Sequence, residues 1–351
     1  MTESLRADLE SIPRYIPGKA LPEALKLSSN EVPYGPLPGV AEAIAAAALD
    51  VHRYPDLAVA RLRDALAERL GVDSDRVVTG TGSVALIGHL MQAVAVPGAE
   101  VVYSWRSFEA YPIAATVAGL RNVQVPNTGD HRHDIAAMAK AVGPDTRAVI
   151  VCSPNNPTGQ AVTAAELDEL FDAVDPSVLI VIDEAYREFV TDPAFPDAVE
   201  RYADRPNAVV FRTFSKAWGL AGLRAGYMIA SPEVAAAVAK CVIPFAVNSP
   251  AQTAALAALE AEDEMRRRVA LVVAERERTL AAAREHVPGI PDTQANFFWL
   301  PLGEDAARFA AHCESQGIVV RPFAGDGVRV TLGRSEDNDR ALEAIRSFAE
   351  A

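Results

Sequence analysis

Cysteine is scarce in this chain of 351 residues, which contains only Cys152, Cys241 and Cys313. The three are far apart, odd in number and form no Cys-x-x-Cys pair, so the sequence supports neither a disulfide framework nor a structural zinc site. His131 and His133 lie in a polar turn that we expect to be exposed, and without further ligands at metal spacing we predict no metal site.

Basic residues are also few, because 33 Lys and Arg stand against 47 Asp and Glu, which gives a net charge of −14. Proteins that bind the nucleic-acid backbone usually carry a basic surface, so we predict no nucleic-acid partner. The charge does not exclude small anionic ligands, since one helix N-terminus or one arginine can bind a phosphate inside an acidic protein.

Long hydrophobic runs are missing as well. The longest weakly polar stretch, the Ala-rich segment from Val40 to Leu49, falls far short of the roughly 20 residues that a membrane span needs. The first residues, MTESLRADLE, lack the basic and apolar regions of a secretory signal. Half of the residues are nevertheless hydrophobic, which excludes an intrinsically disordered chain. We therefore expect a cytoplasmic protein with no membrane partner.

Strands and helices alternate along the middle of the chain. Runs rich in β-forming residues, at 76–80, 100–104, 147–153, 178–185, 208–214 and 225–231, are separated by helical patterns such as Ser83 to Val94. The run VLIVID is apolar on both faces, which is typical of a strand buried in a parallel sheet. The sequence predicts an α/β fold, with a large three-layer domain built on a mainly parallel sheet and a smaller α+β C-terminal domain.

Three regions follow from these patterns. Residues 1–40 contain six prolines and are predicted to form an extended arm that packs with the small domain. Residues 41–245 form the large domain and residues 246–351 the small one. The small domain contains a long charged helix, predicted from Glu260 to His286, and three further β-rich runs.

Two polar turns follow predicted strands. In TGTGSVALIGHL, residues 79–90, the free N–H groups at the helix start would point at an anion, with a simple tight turn as the alternative. In SPNNPTG, residues 153–159, Asn155 and Asn156 present amides that can donate to a ligand oxygen, with a structural Asx-Pro turn as the alternative.

Two ionisable groups lie at the ends of other predicted strands. Asp183, in VIDEAY, ends a run too apolar to be anything but a buried strand, and a carboxylate there is costly unless a cation meets it. Because ligands bind at the carboxyl ends of such strands, we favour a ligand over a structural ion pair. Lys216, in RTFSKAWGLAGLRAGY, has apolar neighbours that depress an amine's pKa and make it a nucleophile.

These features together match the needs of pyridoxal phosphate. The cofactor requires a lysine for its Schiff base, an acid at the pyridine nitrogen, donors to the phenolic oxygen and a phosphate cup. The residues that supply them are, in that order, Lys216; Asp183; Asn156 with Tyr186; and Gly82, Ser83, Ser215 with Arg224.

The sequence resembles the fold-type I pyridoxal-phosphate aminotransferases, and within them the histidinol-phosphate/aromatic aminotransferase subfamily. The resemblance covers nearly the whole chain through YIPGK (15–19), LSSNEVPYGP (27–36), RYPD (53–56), SPNNPTG, IDEAY, SKAWGLAGLR, ANFFWLPL and VRVTLG. The segments WRSFEAYP (105–112) and IPFAVNS (243–249) look most like the actinobacterial phenylalanine, or aromatic amino acid, branch.

The resemblance implies a role for each matching residue. Lys216, Asp183 and Tyr186 would be catalytic, and Phe108 would stack on the cofactor ring. The other implied cofactor contacts are Gly82, Ser83, Val84, Asn156, Thr213, Ser215, Arg224 and, from the neighbouring subunit, Tyr54. Substrate would be bound by Asn30, Tyr15, Arg329 and Arg321. Such enzymes are homodimers with shared active sites, so the N-terminal arm would also pack on the partner subunit.

The implied activity is exchange of an amino group between phenylalanine or tyrosine and a 2-oxo acid such as 2-oxoglutarate. Histidinol-phosphate aminotransferase is the alternative, because Arg329 and Arg321 could equally hold a substrate phosphate. A decarboxylase and a non-catalytic relative that kept the fold are less favoured, the latter because the set of expected catalytic residues is intact.

Overall fold

The computed structural model describes residues 6–12 and 23–350. Its strands are β1 Leu25–Lys26, β2 Val77–Gly80, β3 Glu100–Trp105, β4 Arg121–Pro126, β5 Thr146–Cys152, β6 Leu179–Asp183, β7 Ala208–Thr213, β8 Gly226–Ile229, β9 Phe297–Leu300, β10 Ile318–Val319, β11 Arg321–Phe323 and β12 Gly327–Thr331. Its α-helices are α1 Val40–Ala48, α2 Ala60–Leu70, α3 Ser83–Val94, α4 Ala110–Ala118, α5 Ile135–Lys140, α6 Ala164–Ala173, α7 Ala198–Tyr202, α8 Pro232–Ala239, α9 Ser249–Glu260, α10 Glu262–Arg284, α11 Ala306–Ser315 and α12 Ser335–Ala349. Short 3₁₀ helices lie at Ala7–Ser11, Ser74–Arg76, Arg187–Phe189, Ala221–Leu223 and Gly303–Asp305.

A seven-stranded sheet in the order β2-β8-β7-β6-β5-β3-β4 forms the centre of the molecule. Its strands pair in parallel from β7 through β4, while β8 runs antiparallel to both β2 and β7. The prediction of an α/β fold with a mainly parallel sheet is confirmed. Cys152 on β5 is paired with Asp183 on β6, and Asp183 with Phe211 on β7, so the carboxyl ends of these strands meet at one edge.

Apolar side chains cover both faces of this sheet. Along β5 and β6, Val149 and Ile180 belong to one buried cluster, whereas Ile150 and Val181 belong to a second cluster on the opposite face. Because successive side chains of a strand point to opposite faces, a strand buried on both must be apolar throughout. For this reason the uninterrupted apolar run VLIVID correctly predicted a strand in the interior of the sheet.

The C-terminal part contains a three-stranded antiparallel sheet in the order β11-β12-β9. The N-terminal strand β1 pairs in parallel with β10, which joins the beginning of the chain to this C-terminal part. The long charged helix predicted from 260 to 286 is α10, from Glu262 to Arg284, and the shorter α9 precedes it. The domain boundaries at residues 40 and 245 stay predictions.

Among residues 6–12 and 23–350, no helix has both the length and the apolar composition needed to cross a membrane. The cytoplasmic location stays a prediction.

Candidate active site

One cleft at the carboxyl edge of the central sheet gathers most of the residues that the sequence singled out. Asp183 ends β6, Asn156 follows β5, and Ser215 and Lys216 follow β7, while Ser83 begins α3. The predicted site residues that line this cleft are Asn30, Ser83, Val84, Phe108, Asn156, Asp183, Tyr186, Thr213, Ser215, Lys216, Arg224, Arg321 and Arg329. Residues that follow β5, β6 and β7 meet because parallel strands present their carboxyl ends together. Asn30, Arg321 and Arg329 reach the same cleft from the N-terminal segment and the small antiparallel sheet.

An anion cup lies at one end of the cleft. Helix α3 begins after Gly82, and no side chain caps it, so its first N–H groups remain available to a ligand. Gly82 has φ +83°, and a Cβ there would lie 2.6 Å from the Arg224 guanidinium, so the arginine packs directly on the glycine backbone. Thr213 donates to Ser215 Oγ at 2.9 Å, and Arg224 donates to the same oxygen at 3.4 Å.

The buried carboxylate, Asp183, is 2% exposed. Its Oδ2 accepts a hydrogen bond from the Tyr111 hydroxyl at 2.7 Å, and its Oδ1 accepts one from the Ala185 N–H at 3.3 Å. Burial raises the pKa of Asp183 to about 6, although Tyr111, Ala185 and the nearby Lys216 each oppose the rise. At neutral pH the side chain is thus mainly a carboxylate in an apolar site, which favours a cationic partner.

The Lys216 amine points into the same cleft and donates to the Ser29 carbonyl at 3.1 Å. Burial, reinforced by the positive charge of Arg329, lowers the pKa of Lys216 to about 7. A large fraction of the amine is therefore neutral at physiological pH, as a nucleophile or a general base requires.

The segment 28–30 connects three of the predicted site residues. The Ser28 carbonyl accepts from Arg329, the Ser29 carbonyl accepts from Lys216, and Asn30 Nδ2 donates to the Tyr186 hydroxyl at 2.8 Å. Because Ser28 and Ser29 act through backbone carbonyls, sequence motifs alone did not identify them.

The two asparagines of the SPNNPTG turn divide their tasks. Asn156 lines the cleft, and its Oδ1 accepts from Arg329 at 2.5 Å, which orients its NH₂ group as the donor. Asn155 donates instead to the Arg106 carbonyl and to Thr158 Oγ1 within the turn. For Asn155 these contacts support the alternative of a structural turn, which this residue stabilises.

One predicted site residue, Tyr54, lies away from the cleft, and another lies outside the described residues. Tyr54 is 83% exposed, does not line the cleft of its own chain and stacks on Phe245 with ring centroids 4.6 Å apart. Tyr15 lies outside the described residues.

His133 corrects another expectation from the sequence. Its side chain is buried, 5% exposed, and its Nε2 is 2.8 Å from the Cys152 carbonyl oxygen, so it is not the solvent-exposed residue that its polar turn predicted. Desolvation lowers the pKa of His133 to about 4 and keeps the ring neutral. The histidine thus packs beneath β5 next to the cleft.

The cleft fits pyridoxal phosphate by its donor set. The uncapped N-terminus of α3 and the Arg224 guanidinium, seated on a backbone where a Cβ would clash, suit a phosphate dianion. Asp183 suits a protonated ring nitrogen, and Lys216 suits a carbonyl carbon. Tyr111, which the sequence analysis missed, positions Asp183 from 72 residues away.

Tyr111→Phe should lower kcat/KM about 10- to 100-fold, the equivalent of one hydrogen bond to a charged group. Because the lost bond favours the charged form, the pKa of Asp183 should rise further above its present value of about 6. The acidic limb of the kcat/KM profile should therefore move to higher pH. Tyr103→Phe is the matched control, since Tyr103 lies beside Tyr111 but bonds Asn122. An acidic limb unchanged in Tyr111→Phe would contradict the assignment.

The fold and the cleft together define a fold-type I pyridoxal-phosphate-dependent enzyme. Comparison with known proteins specifies the family, since the model for "Aminotransferase class I and II" matches residues 22–345. The chain belongs to this family of aminotransferases.

Similar proteins agree with this placement. The chain is 54% identical to an aromatic amino acid aminotransferase of Streptomyces avermitilis over 98% of this chain and 97% of the relative. It is 50% identical to an aromatic amino acid aminotransferase of Rhodococcus jostii, over 97% and 95%. The crystal structure of histidinol-phosphate aminotransferase from Sinorhizobium meliloti in complex with pyridoxal-5'-phosphate superposes with a TM-score of 0.90 at 29% identity, covering 100% of this chain and 98% of that one.

Proposed function

We propose that this chain is a pyridoxal-phosphate-dependent aminotransferase that exchanges the amino group between aromatic amino acids, such as phenylalanine and tyrosine, and a 2-oxo acid. The observation that carries the proposal is the meeting of Lys216, Asp183 and Arg329 in one cleft. The aromatic preference draws its support from relatives of that name, which are 47–54% identical over nearly their whole length.

The bound cofactor supplies an electron sink for the negative charge that develops at the substrate Cα. The chain supplies the proton transfers: the neutral Lys216 amine would take the proton from the substrate Cα and deliver it to C4′ of the cofactor, and would carry out the reverse transfer in the second half of the reaction. Asp183, ionised above a pKa of about 6, would hold a proton on the ring nitrogen. Asn156 and Tyr186 would donate to the phenolic oxygen, and Phe108 would stack on the ring.

Substrate binding would rest on Arg329 and Asn30. The guanidinium of Arg329 is fixed by the Ser28 carbonyl and Asn156 Oδ1, so it would meet a substrate carboxylate without reorientation. Asn30 is held by Thr331 and Asn296, which position the N-terminal segment over the cleft. This arrangement would orient Cα towards Lys216.

Steady-state kinetics with phenylalanine and with histidinol phosphate as amino donors, each with 2-oxoglutarate, test the proposal. We expect kcat/KM for phenylalanine to be greater by at least about tenfold, a ratio that differential binding of unlike side chains supplies. The second candidate, histidinol-phosphate aminotransferase, takes its support from the name of the S. meliloti structure. A greater kcat/KM for histidinol phosphate would reverse our assignment, and release of CO₂ in place of a 2-oxo acid would indicate a decarboxylase.

We also propose that the chain acts as a homodimer in which Tyr54 completes the site of the other subunit. Large apolar side chains that are exposed in the single chain, among them Leu57, Ile243 and Phe245, line one groove beside Tyr54. Such a cluster on a protein surface usually marks an interface. Light scattering should give twice the chain mass of 37.4 kDa, and a monomeric active enzyme would contradict the proposal.

Three regions would share these tasks. We propose residues 41–245 as the cofactor-binding domain, since they contain the central sheet, and residues 246–351 as the small domain that carries Arg329 and Arg321. Residues 1–40 would form the arm, and the pairing of β1 with β10 supports its attachment to the small domain.

A further inference from the structure

An ion pair lies within the lining of the cleft, apart from the groups proposed to carry out the chemistry. Arg321 Nη2 is 2.8 Å from Glu109 Oε2, and both residues line the same cleft as Lys216 and Arg329. Their side chains are 17% and 31% exposed, respectively, so the pair is only partly open to water. A charge pair in that setting is screened less than one on the open surface.

The two arginines of the cleft are neighbours on one small sheet. Arg321 on β11 is directly opposite Arg329 on β12 in the antiparallel register. Side chains at such positions start about 5 Å apart on one face of the sheet. If Arg329 holds the substrate carboxylate, Arg321 is the adjacent cation through which a second anionic group of a substrate would be bound.

Glu109 changes what this second cation can do. It lies immediately before α4, next to the predicted stacking residue Phe108, and reaches Arg321 across 212 positions of sequence. A distal phosphate would have to approach Arg321 against the negative charge of Glu109 or displace that carboxylate. Juxtaposed like charges disfavour binding, so Glu109 penalises a dianion more than a monoanion.

The surroundings of the pair suit an uncharged ring. Phe108 and Phe323 line the cleft, and the Arg321 guanidinium lies 5.6 Å from the centre of the Phe323 ring. A second ion pair lies nearby, between Arg106 and Asp326, and the Arg106 guanidinium is also 5.6 Å from the centre of the Phe323 ring. Arg321 and Arg106, two of the arginines that lie over this ring, are thereby each matched by a carboxylate.

We propose that Glu109 is a specificity-determining residue, which neutralises Arg321 and so excludes substrates with a distal phosphate while admitting aromatic side chains. This inference rests on the proposed function, since it assigns the substrate class of the same cleft. It also ranks distal groups: a ring binds best, a single carboxylate such as that of 2-oxoglutarate binds less well, and a phosphate binds worst.

Three unreactive acids test the proposal by calorimetry on the holoenzyme. The ligands 3-phenylpropionate, glutarate and 3-phosphonopropionate share a carboxylate at one end and carry a phenyl ring, a second carboxylate and a phosphonate, respectively, at the other. None has an amino group to react. In Glu109→Gln, the affinity for 3-phosphonopropionate relative to 3-phenylpropionate should rise at least about tenfold. The relative affinity for glutarate should rise by a smaller factor, because its distal group carries one charge.

Two further variants show whether the effect acts through Arg321. In Glu109→Gln/Arg321→Gln the gain for the phosphonate should disappear, because the cation released by the first change is absent. Asp326→Asn is the matched control, since it removes the same charge from the neighbouring ion pair and should leave the affinity ratio unchanged. Circular dichroism and the visible absorbance of bound cofactor establish that each variant is folded and loaded.

An affinity ratio that is unchanged in Glu109→Gln, or that changes equally in Asp326→Asn, would overturn the proposal. Its failure is distinguishable from that of the proposed function. A wild-type enzyme that transaminates phenylalanine but shows no shift in Glu109→Gln refutes only the role of Glu109. A wild-type enzyme that transaminates no aromatic amino acid refutes the proposed function.

Discussion

Replacing Lys216 with alanine should reduce aminotransferase activity by at least about 10⁴-fold, because one substitution removes both the group that bonds the cofactor and the proton carrier. The amine has a pKa lowered to about 7 by burial and by Arg329, so it is ready for both tasks at neutral pH. No other lysine lines the cleft within residues 6–12 and 23–350 to replace it.

The visible absorbance of the cofactor reports the bond to Lys216 independently of the proton transfer that activity measures. The visible band of lysine-bound cofactor should vanish in Lys216→Ala, while cofactor held through the anion cup should remain until dialysis removes it. Lys216→Arg keeps a positive charge but should be equally inactive, because a guanidinium stays protonated. Lys140→Ala, at an exposed position at the end of α5, is the control and should match wild type. General acid–base catalysis alone contributes at least about 100-fold to a rate. Lys216→Ala activity above about one per cent of wild type would therefore contradict the assignment.

Asp183→Asn should lower kcat/KM by roughly 10²- to 10³-fold, comparable with the loss of one preorganised electrostatic group from an active site. Asparagine fits the space beside Tyr111 but has no negative charge with which to hold a proton on the ring nitrogen. The measurement is kcat/KM at pH 8, where the wild-type carboxylate, with a pKa of about 6, is ionised.

Stability should change in the opposite direction at Asp183. The folded chain holds a proton on this carboxyl more tightly than the unfolded chain does, because its pKa is raised. The free energy of unfolding therefore falls as the pH rises from the ordinary pKa of 3.8 to about 6 and stays lowered above it, and Asn removes that cost. Cofactor-free Asp183→Asn should melt no lower than wild type. Glu184→Gln is the contrasting variant, since Glu184 pairs with buried Arg212 and its loss should lower the melting temperature. A lower melting temperature in Asp183→Asn would assign that residue a structural role.

The fold was predictable wherever burial leaves a pattern in the sequence. Helix α3 has its predicted limits, Ser83 and Val94, because a glycine turn precedes it and an apolar face runs its whole length. The strand β4, Arg121–Pro126, was missed because it lies at the edge of the sheet and exposes most of its polar side chains. What makes this segment a strand is its pairing with β3, and the amino-acid composition of β4 does not reveal that pairing.

The candidate site was predictable where chemistry coincides with a strand end, as at Asp183 and Lys216. Its supporting contacts were not, because Tyr111 and Glu109 act on partners 72 and 212 residues away. Tyr111 lies in an apolar helical pattern, and its local sequence is that of an ordinary core tyrosine. Glu109 lies just before that pattern, and its local sequence is that of an ordinary solvent-exposed acid. Only the folded chain brings them to their partners.

The segment 28–30 constrains future sequence change unevenly. Ser28 and Ser29 contribute main-chain oxygens to Arg329 and Lys216, and every amino acid carries such an oxygen. Position 29 can therefore vary between species while its contact persists, and position 28, where the serine is only 2% exposed, can vary among small residues. Asn30 is different, because its own amide makes the contact and its φ of +56° suits few residues other than asparagine, aspartate and glycine. In a comparison of related sequences, we therefore expect position 30 to be constant and positions 28 and 29 to vary.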